Sequence, residues 1–163
     1  RRWHATTGGQ TWFCDLAGTR SLNGLCSTVS RTLDVPLGKG VGDALVSRMG
    51  HALESRGEMV LILDNFEQIL DLAPVVSQWK QMAPQLRLLV TSRAPLRLEG
   101  ERVVEVSPLS VEASQALLVA RARQRGAEVQ GDPDLPELAS LLDGLPLALE
   151  LLPLQGLLRL IQD

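Results

Sequence analysis

With 163 residues, 45% of them hydrophobic and 21% charged, the chain has apolar material for one ordinary globular domain, or for one domain plus a small appendage, and is no disordered protein. Its longest apolar-rich stretch, Leu145 to Ile161, is interrupted by Glu150, Pro153, Gln155, Gly156 and Arg159, which argues against a membrane span. A formal net charge of -3 with arginines scattered among acids gives no electrostatic footprint for nucleic acid or an acidic membrane.

Along the chain, short apolar runs alternate with helical periodicity. Thr11 to Leu16 is expected as a strand; Leu22, Leu25, Val29 and Leu33 then recur at helical spacing until Asp34-Val35-Pro36. Val41, Leu45, Met49, Ala52 and Leu53 predict a second helix, closed at Gly57. Met59 to Leu63 is a strand of continuous apolar residues, and Leu70 to Met82 is helical with Pro74 near its start. Leu86 to Thr91 and Arg102 to Val106 complete a set of four expected parallel strands. Near-continuous apolar strands separated by helices predict an α/β fold whose parallel sheet is covered on both faces. After Ser107-Pro108 the pattern becomes purely helical, over Val111 to Arg125, Leu135 to Leu142 and from Leu145 onward. The expected organisation is an α/β core over 1–107 and a small all-helical subdomain over 108–163, with its end uncertain beyond Leu151.

Three segments carry candidate chemistry. In "VLILDNFEQ" the apolar strand stops at Asp64 and Asn65; ligands of parallel α/β sheets bind beyond the carboxyl ends of the strands, where a carboxylate can support Mg²⁺. The competing explanation is a turn or cap residue, a role that Asp often fills. In "LRLLVTSR" a second apolar run ends at a polar tip, and Arg93 there can reach a terminal phosphate with its donor fork or pair with a neighbouring acid. In "LDGLPLALEL", Gly144 suits a helix cap and Pro146 an early helical position.

Together and in this order, "VLILDNFEQ", "LLVTSRAPLRLEGERVVEVSPLS" and "LDGLPLALEL" resemble the Walker B, sensor and GLPL segments of the STAND class of P-loop nucleotidases, specifically the NB-ARC-like modules of large bacterial regulators. "TWFCDLAGTRS" and "LDVPL" are similar to the stretch that follows the P-loop helix there, so the resemblance runs from Trp12 to Leu151. It implies a parallel P-loop NTPase sheet and an ATP/ADP-operated switch acting in signalling and transcription regulation. Carried over by position, Asp64 would support Mg²⁺ with Asn65 beside it. Arg93 would sense the γ-phosphate, positioned by Thr91 and Ser92, and Pro146 would pack near the adenine or ribose. Glu67 would orient water beside Asp64 in the catalytic step. The implied partners are other domains of the same polypeptide, with self-association open, no nucleic acid bound directly and no membrane.

The departures are as informative. G-x-x-x-x-G-K-[ST] occurs nowhere in these 163 residues; Lys39 in "LGKGVGDAL" is followed by Gly40 and comes after a helix, so it does not supply that loop. Without the loop's amides and lysine the main anion cradle is missing, and this stretch alone is expected to bind ATP or ADP weakly and to be inactive. "RRW" resembles the end of the P-loop helix, and with no initiator Met or signal-peptide pattern the sequence reads as a piece of a longer, cytoplasmic protein. Pro153 and Gly156 fall where the family's last helix usually continues. Two alternatives stand beside the switch: a degenerate interaction module of the same fold, and a AAA-like remodelling ATPase, which needs an arginine finger that nothing here identifies.

Other conspicuous residues read as structural. Cys14 and Cys26 form no CxxC pair and are expected as reduced, buried thiols. His4 and His51 lack a partner at ligand spacing, and Trp3, Trp12 and Trp79 are too dispersed for base stacking. Arg121, Arg123 and Arg125 fit a helix end favoured by the dipole.

Overall fold

Three of the apolar runs pair side by side. In a computed structural model, which describes residues 10–38, 40–127 and 129–151, β1 (Gln10–Asp15), β2 (Met59–Asp64) and β3 (Leu86–Val90) form one parallel sheet in the order β1-β2-β3. Gln10 lies beside Met59 and Asp15 beside Asp64, while Met59 lies beside Leu86 and Leu63 beside Val90. Adjacent partners share a face, so the register sorts the strands into two sets. Trp12, Cys14, Met59, Leu61, Leu63, Leu86, Leu88 and Val90 belong to one set, and all of them enter the core. Phe13, Ile62 and Leu89 belong to the other, where Phe13 and Leu89 are each 56% exposed. Within the described residues of the first unit, the helices thus cover the face of the first set, not both faces as the apolar runs predicted.

The covering layer is built from amphipathic helices. The chain turns from β1 into α1 (Leu22–Leu33), where the Ser21 hydroxyl accepts from the Gly24 amide at 3.2 Å and Leu25, Cys26, Val29 and Leu33 point inward. Asp34 ends that helix in a left-handed conformation, φ 53°. α2 (Asp43–Ser55) buries Leu45, Val46, Met49 and Leu53. Gly57, at φ +69°, turns the chain out of it and donates its amide to the Glu54 carbonyl at 3.1 Å. After β2 a 3₁₀ turn, Phe66–Leu72, leads into α3 (Ala73–Met82), with Pro74 in the first turn where its missing N–H costs nothing. α2 and α3 pack closely: the side chain of Trp79 is fully buried, and its indole N–H donates to the Val46 carbonyl at 3.0 Å. Cys14 and Cys26 are unpaired and buried; burial raises both thiols, Cys26 to about 11, while a hydrogen bond with Thr32 partly offsets the rise at Cys14.

Arg102–Val106 is not a strand, contrary to the expectation from its valines. Val103, Val104 and Val106 are 62%, 75% and 90% exposed. A strand exists by pairing, and no described strand lies beside this one to accept its N–H and C=O groups. The stretch is where the chain passes between two units, which divide between Val103 and Val104. Among the described residues no further strand follows β3 in the sheet.

The second unit holds α4 (Val111–Gln124), α5 (Leu135–Leu141) and α6 (Pro146–Leu151) around its own core of Leu118, Ala122, Leu135, Leu138, Ala139 and Leu149. The Ser110 hydroxyl caps α4 by accepting from the Ala113 amide at 3.2 Å. Arg121 does not end in solvent but reaches Glu150 of α6 at 2.5 Å, and His51 in the first unit is exposed. The readings placed on Trp3, His4, Lys39, Pro153 and Gly156 lie outside the described residues.

Truncating Trp79 removes the largest buried side chain at the α2–α3 contact and leaves a cavity. Trp79→Ala is expected to destabilise the first unit by about 3–5 kcal/mol, read as a lower midpoint in urea unfolding followed by far-UV circular dichroism.

Candidate functional site

Because β1, β2 and β3 run parallel, their carboxyl ends lie at one edge of the sheet. Three polar side chains meet there: Asp15 ends β1, Asp64 ends β2 and Thr91 follows β3. The backbone fastens the edge first. The Leu16 amide donates to the Asp64 carbonyl at 2.9 Å, the Thr91 amide to the Leu63 carbonyl at 3.0 Å, and the Phe66 amide to the Thr91 carbonyl at 3.0 Å.

Side chains complete the network. The Thr91 hydroxyl donates to Asp64 Oδ1 at 2.5 Å and accepts from the Asn65 amide at 3.1 Å. Asn65 turns the chain at the tip of β2 with φ 62° and ψ 45°, a left-handed conformation that Asn tolerates better than most residues. From that turn its Nδ2 donates to Asp64 Oδ2 at 3.3 Å and to Asp15 Oδ1 at 3.2 Å. Asp15 Oδ1 also accepts from the Ala17 amide at 2.9 Å. Both oxygens of Asp64 are thus held, one by Thr91 after β3 and one by its own neighbour Asn65. A charged acceptor with two donors is the stronger kind of hydrogen-bonded group.

The remaining sequence candidates spread outward from this knot. Glu67 lies in the 3₁₀ turn after Asn65, and Arg93 follows two residues after Thr91 at the same edge. Arg93 Nε stands 3.8 Å from Glu67 Oε1, with the Arg93 side chain 87% exposed. An ion pair that long and that exposed is weak, so the guanidinium is not locked in place. The Ser92 hydroxyl is spent locally, accepting from the Ala94 amide at 3.3 Å. Asp64, Asn65, Glu67, Thr91, Ser92 and Arg93 thus gather at one edge, whereas Pro146 opens α6 in the second unit.

Sequence reasoning missed Asp15. The signal was available: "WFCD" is an apolar run stopped by an acid, the same pattern as "LILD" on the neighbouring strand. Beside Asp15 opens a polar cleft of about 440 Å³ whose lining includes Thr19, Arg20, Ser27 and Arg31. Arg20 is partly engaged there, donating to the Ala17 and Thr19 carbonyls at 2.7 Å each. The donor set at the strand tips is entirely oxygen, which suits a hard cation such as Mg²⁺. Among the described residues no group of three or more His, Cys, Asp or Glu side chains could hold a metal. Mg²⁺ does not require one, since it usually binds through one or two carboxylates together with phosphate oxygens and water.

No family model matches the chain. It is 31% identical over 156 residues to uncharacterized proteins of Mycobacterium tuberculosis and Mycobacterium bovis, a match covering 91% of this chain and 38% of each of theirs. It is 30% identical over 149 residues to a Mycobacterium tuberculosis protein named as a candidate HTH-type transcriptional regulator, covering 85% of this chain and 16% of that one. The chain therefore spans well under half the length of these relatives. Among solved structures, a Walker-type ATPase of Pyrococcus abyssi is similar with a TM-score of 0.57, covering 84% of this chain and 53% of that chain at 16% identity. That likeness shows the fold alone, a parallel α/β sheet with helices.

Thr91 makes a direct prediction. Thr91→Val keeps the side chain's shape but removes both the donor to Asp64 and the acceptor of the Asn65 amide. Because the site is exposed, a loss of about 1 kcal/mol of unfolding free energy is expected, with Thr91→Ser restoring most of it in the same denaturant titration.

Proposed function

We propose that this chain is the nucleotide-binding core of an ATP/ADP-dependent signalling switch in a larger bacterial regulator, of the STAND class with an NB-ARC-like module. The observation that carries the reading is the position of Asp64: a carboxylate at the carboxyl end of the middle strand, gripped through both oxygens, with Arg93 at the same edge. The fold likeness to a Walker-type ATPase supports it, and so does the similarity to a protein named as a candidate transcriptional regulator.

In this reading Asp64 would hold Mg²⁺, which when bound shields phosphate charge. With each oxygen already accepting a hydrogen bond, the carboxylate would meet the cation in a fixed orientation. Asn65, Thr91 and Ser92 line the edge beside it. Arg93, exposed and weakly paired, is free to swing from Glu67 to a γ-phosphate, which distinguishes ATP from ADP by charge and by reach. Glu67, released from Arg93, is then available to orient water. Pro146, which opens α6 in the second unit, is the residue that the resemblance would set against the base or ribose. Phosphate-cradling amides would come from a loop of the G-x-x-x-x-G-K-[ST] kind that these residues lack, leaving this stretch alone a weak binder without turnover. The partners are other domains of the same cytoplasmic polypeptide.

A second reading, an interaction module of the same fold that binds no nucleotide, draws on exposed Phe13 and Leu89. Calorimetry on the full-length protein separates the two. Asp64→Asn is expected to weaken Mg²⁺-dependent ATP binding by about a hundredfold or more, at or beyond the upper end of what loss of a ligand-supporting residue costs. Arg93→Ala is expected to narrow the ATP/ADP affinity ratio by about ten- to a hundredfold, the worth of a charged hydrogen bond. Unchanged ATP affinity in both variants would leave the interaction module as the reading.

A further inference from the structure

We infer that Asn65 is a positioning residue: its side-chain amide ties Asp15 to Asp64, so that the way Asp64 faces a divalent cation depends on the tip of the neighbouring strand. The inference rests on the reading of Asp64 given above.

The geometry has three parts. A primary amide carries two N–H donors, and Asn65 Nδ2 directs them to Asp15 Oδ1 at 3.2 Å and Asp64 Oδ2 at 3.3 Å. The amide is neutral, so it joins two like-charged groups that would otherwise push apart. Asp15 is itself fixed on the β1 side by the Ala17 amide at 2.9 Å, which makes it an anchor and not a loose end. With the Thr91 hydroxyl on the other oxygen, the Asp64 carboxyl group is held by a donor after β3 and by Asn65, which is itself tied to Asp15 at the end of β1.

The identity of residue 65 follows from two demands at once. The backbone there is left-handed, at φ 62°, which Gly and Asn accept most readily. Of these only Asn brings donors. An Asp at this position would present a third carboxylate in place of the tie. A residue kept only for its turn could be Gly without loss, and this separates positioning from backbone convenience.

The test uses the full-length protein and measures ATP binding by calorimetry across a Mg²⁺ titration, ATP binding in EDTA, and the thermal midpoint without ligand. Asn65→Gly keeps the left-handed turn and removes the tie; Asp15→Ala removes it from the other end; Asp15→Asn keeps an acceptor oxygen. Asn65→Gly and Asp15→Ala are each expected to raise the Mg²⁺ concentration for half-maximal ATP binding about tenfold or more, as loss of a ligand-orienting partner does. Binding in EDTA should stay near the parent's. The thermal midpoint of Asn65→Gly should fall no further than that of Thr91→Val, so that the Mg²⁺ effect exceeds what the stability change alone accounts for. The double variant should be no worse than either single one, because both cut the same link, and Asp15→Asn should restore most of the parent's Mg²⁺ response. If Asp64→Asn raises the Mg²⁺ requirement while Asn65→Gly does not, or if the two single effects add, the tie is overturned and the reading of Asp64 survives. If Asp64→Asn leaves the requirement unchanged, the reading of the site fails and this inference with it.

Discussion

The parallel register of three short strands is the constraint on which the candidate site depends. It sets Asp15 beside Asp64 and brings Thr91, one step past Val90, into the same row. Successive side chains on a strand face opposite ways, so a slip of one residue would exchange the faces of a strand's whole side-chain set. A slipped β2 would turn Leu61 and Leu63 away from the core and direct Asp64 into it, unpaired. The apolar cost of losing two buried leucines is about 3–6 kcal/mol, and the stranded carboxylate would add to it. The hydrophobic pattern thus aligns the polar tips, although it makes no contact with any ligand.

Helices and sheet are joined unevenly. Residues of α1, α2 and α3 share one core with the inner face of the sheet, while Phe13, Ile62 and Leu89 line the other face. The row Asp15, Asp64 and Thr91 caps that less covered face, so the site stands where an apolar stripe gives way to charge. In the strand order β1-β2-β3, β3 stands last among the described residues.

Much of this could be read from the amino-acid order, because the determinants are local. β1, β2 and β3 announce themselves as apolar runs, α1 and α2 as spaced leucines with left-handed ends at Asp34 and Gly57. The helix after β2 was legible at its proline, while the 3₁₀ turn before it, with its non-helical Ile69, carried no periodic signal. Arg102–Val106 failed as a strand because β-structure is a property of pairs: the valines give propensity, but propensity cannot supply a neighbour. The site divides in the same way. Asp64 and Arg93 stand out at the ends of their runs, whereas the tie from Asn65 to Asp15 spans fifty positions of sequence and appears only once the strands are placed side by side.

Gly144 lies in the segment "LDGLPL". It sits at φ +63°, and a Cβ placed there would fall 2.2 Å from the carbonyl oxygen of Leu109, while the Leu109 amide donates to the Gly144 carbonyl at 2.8 Å. The stretch before α4 and the turn before α6 pass too closely for any side chain between them. The glycine is accordingly demanded by the architecture of the helical unit, whether or not that unit ever meets a nucleotide. A descendant that had lost every trace of phosphate chemistry would keep it, so this glycine in an unfamiliar genome testifies to how the chain is folded and is silent about what it consumes.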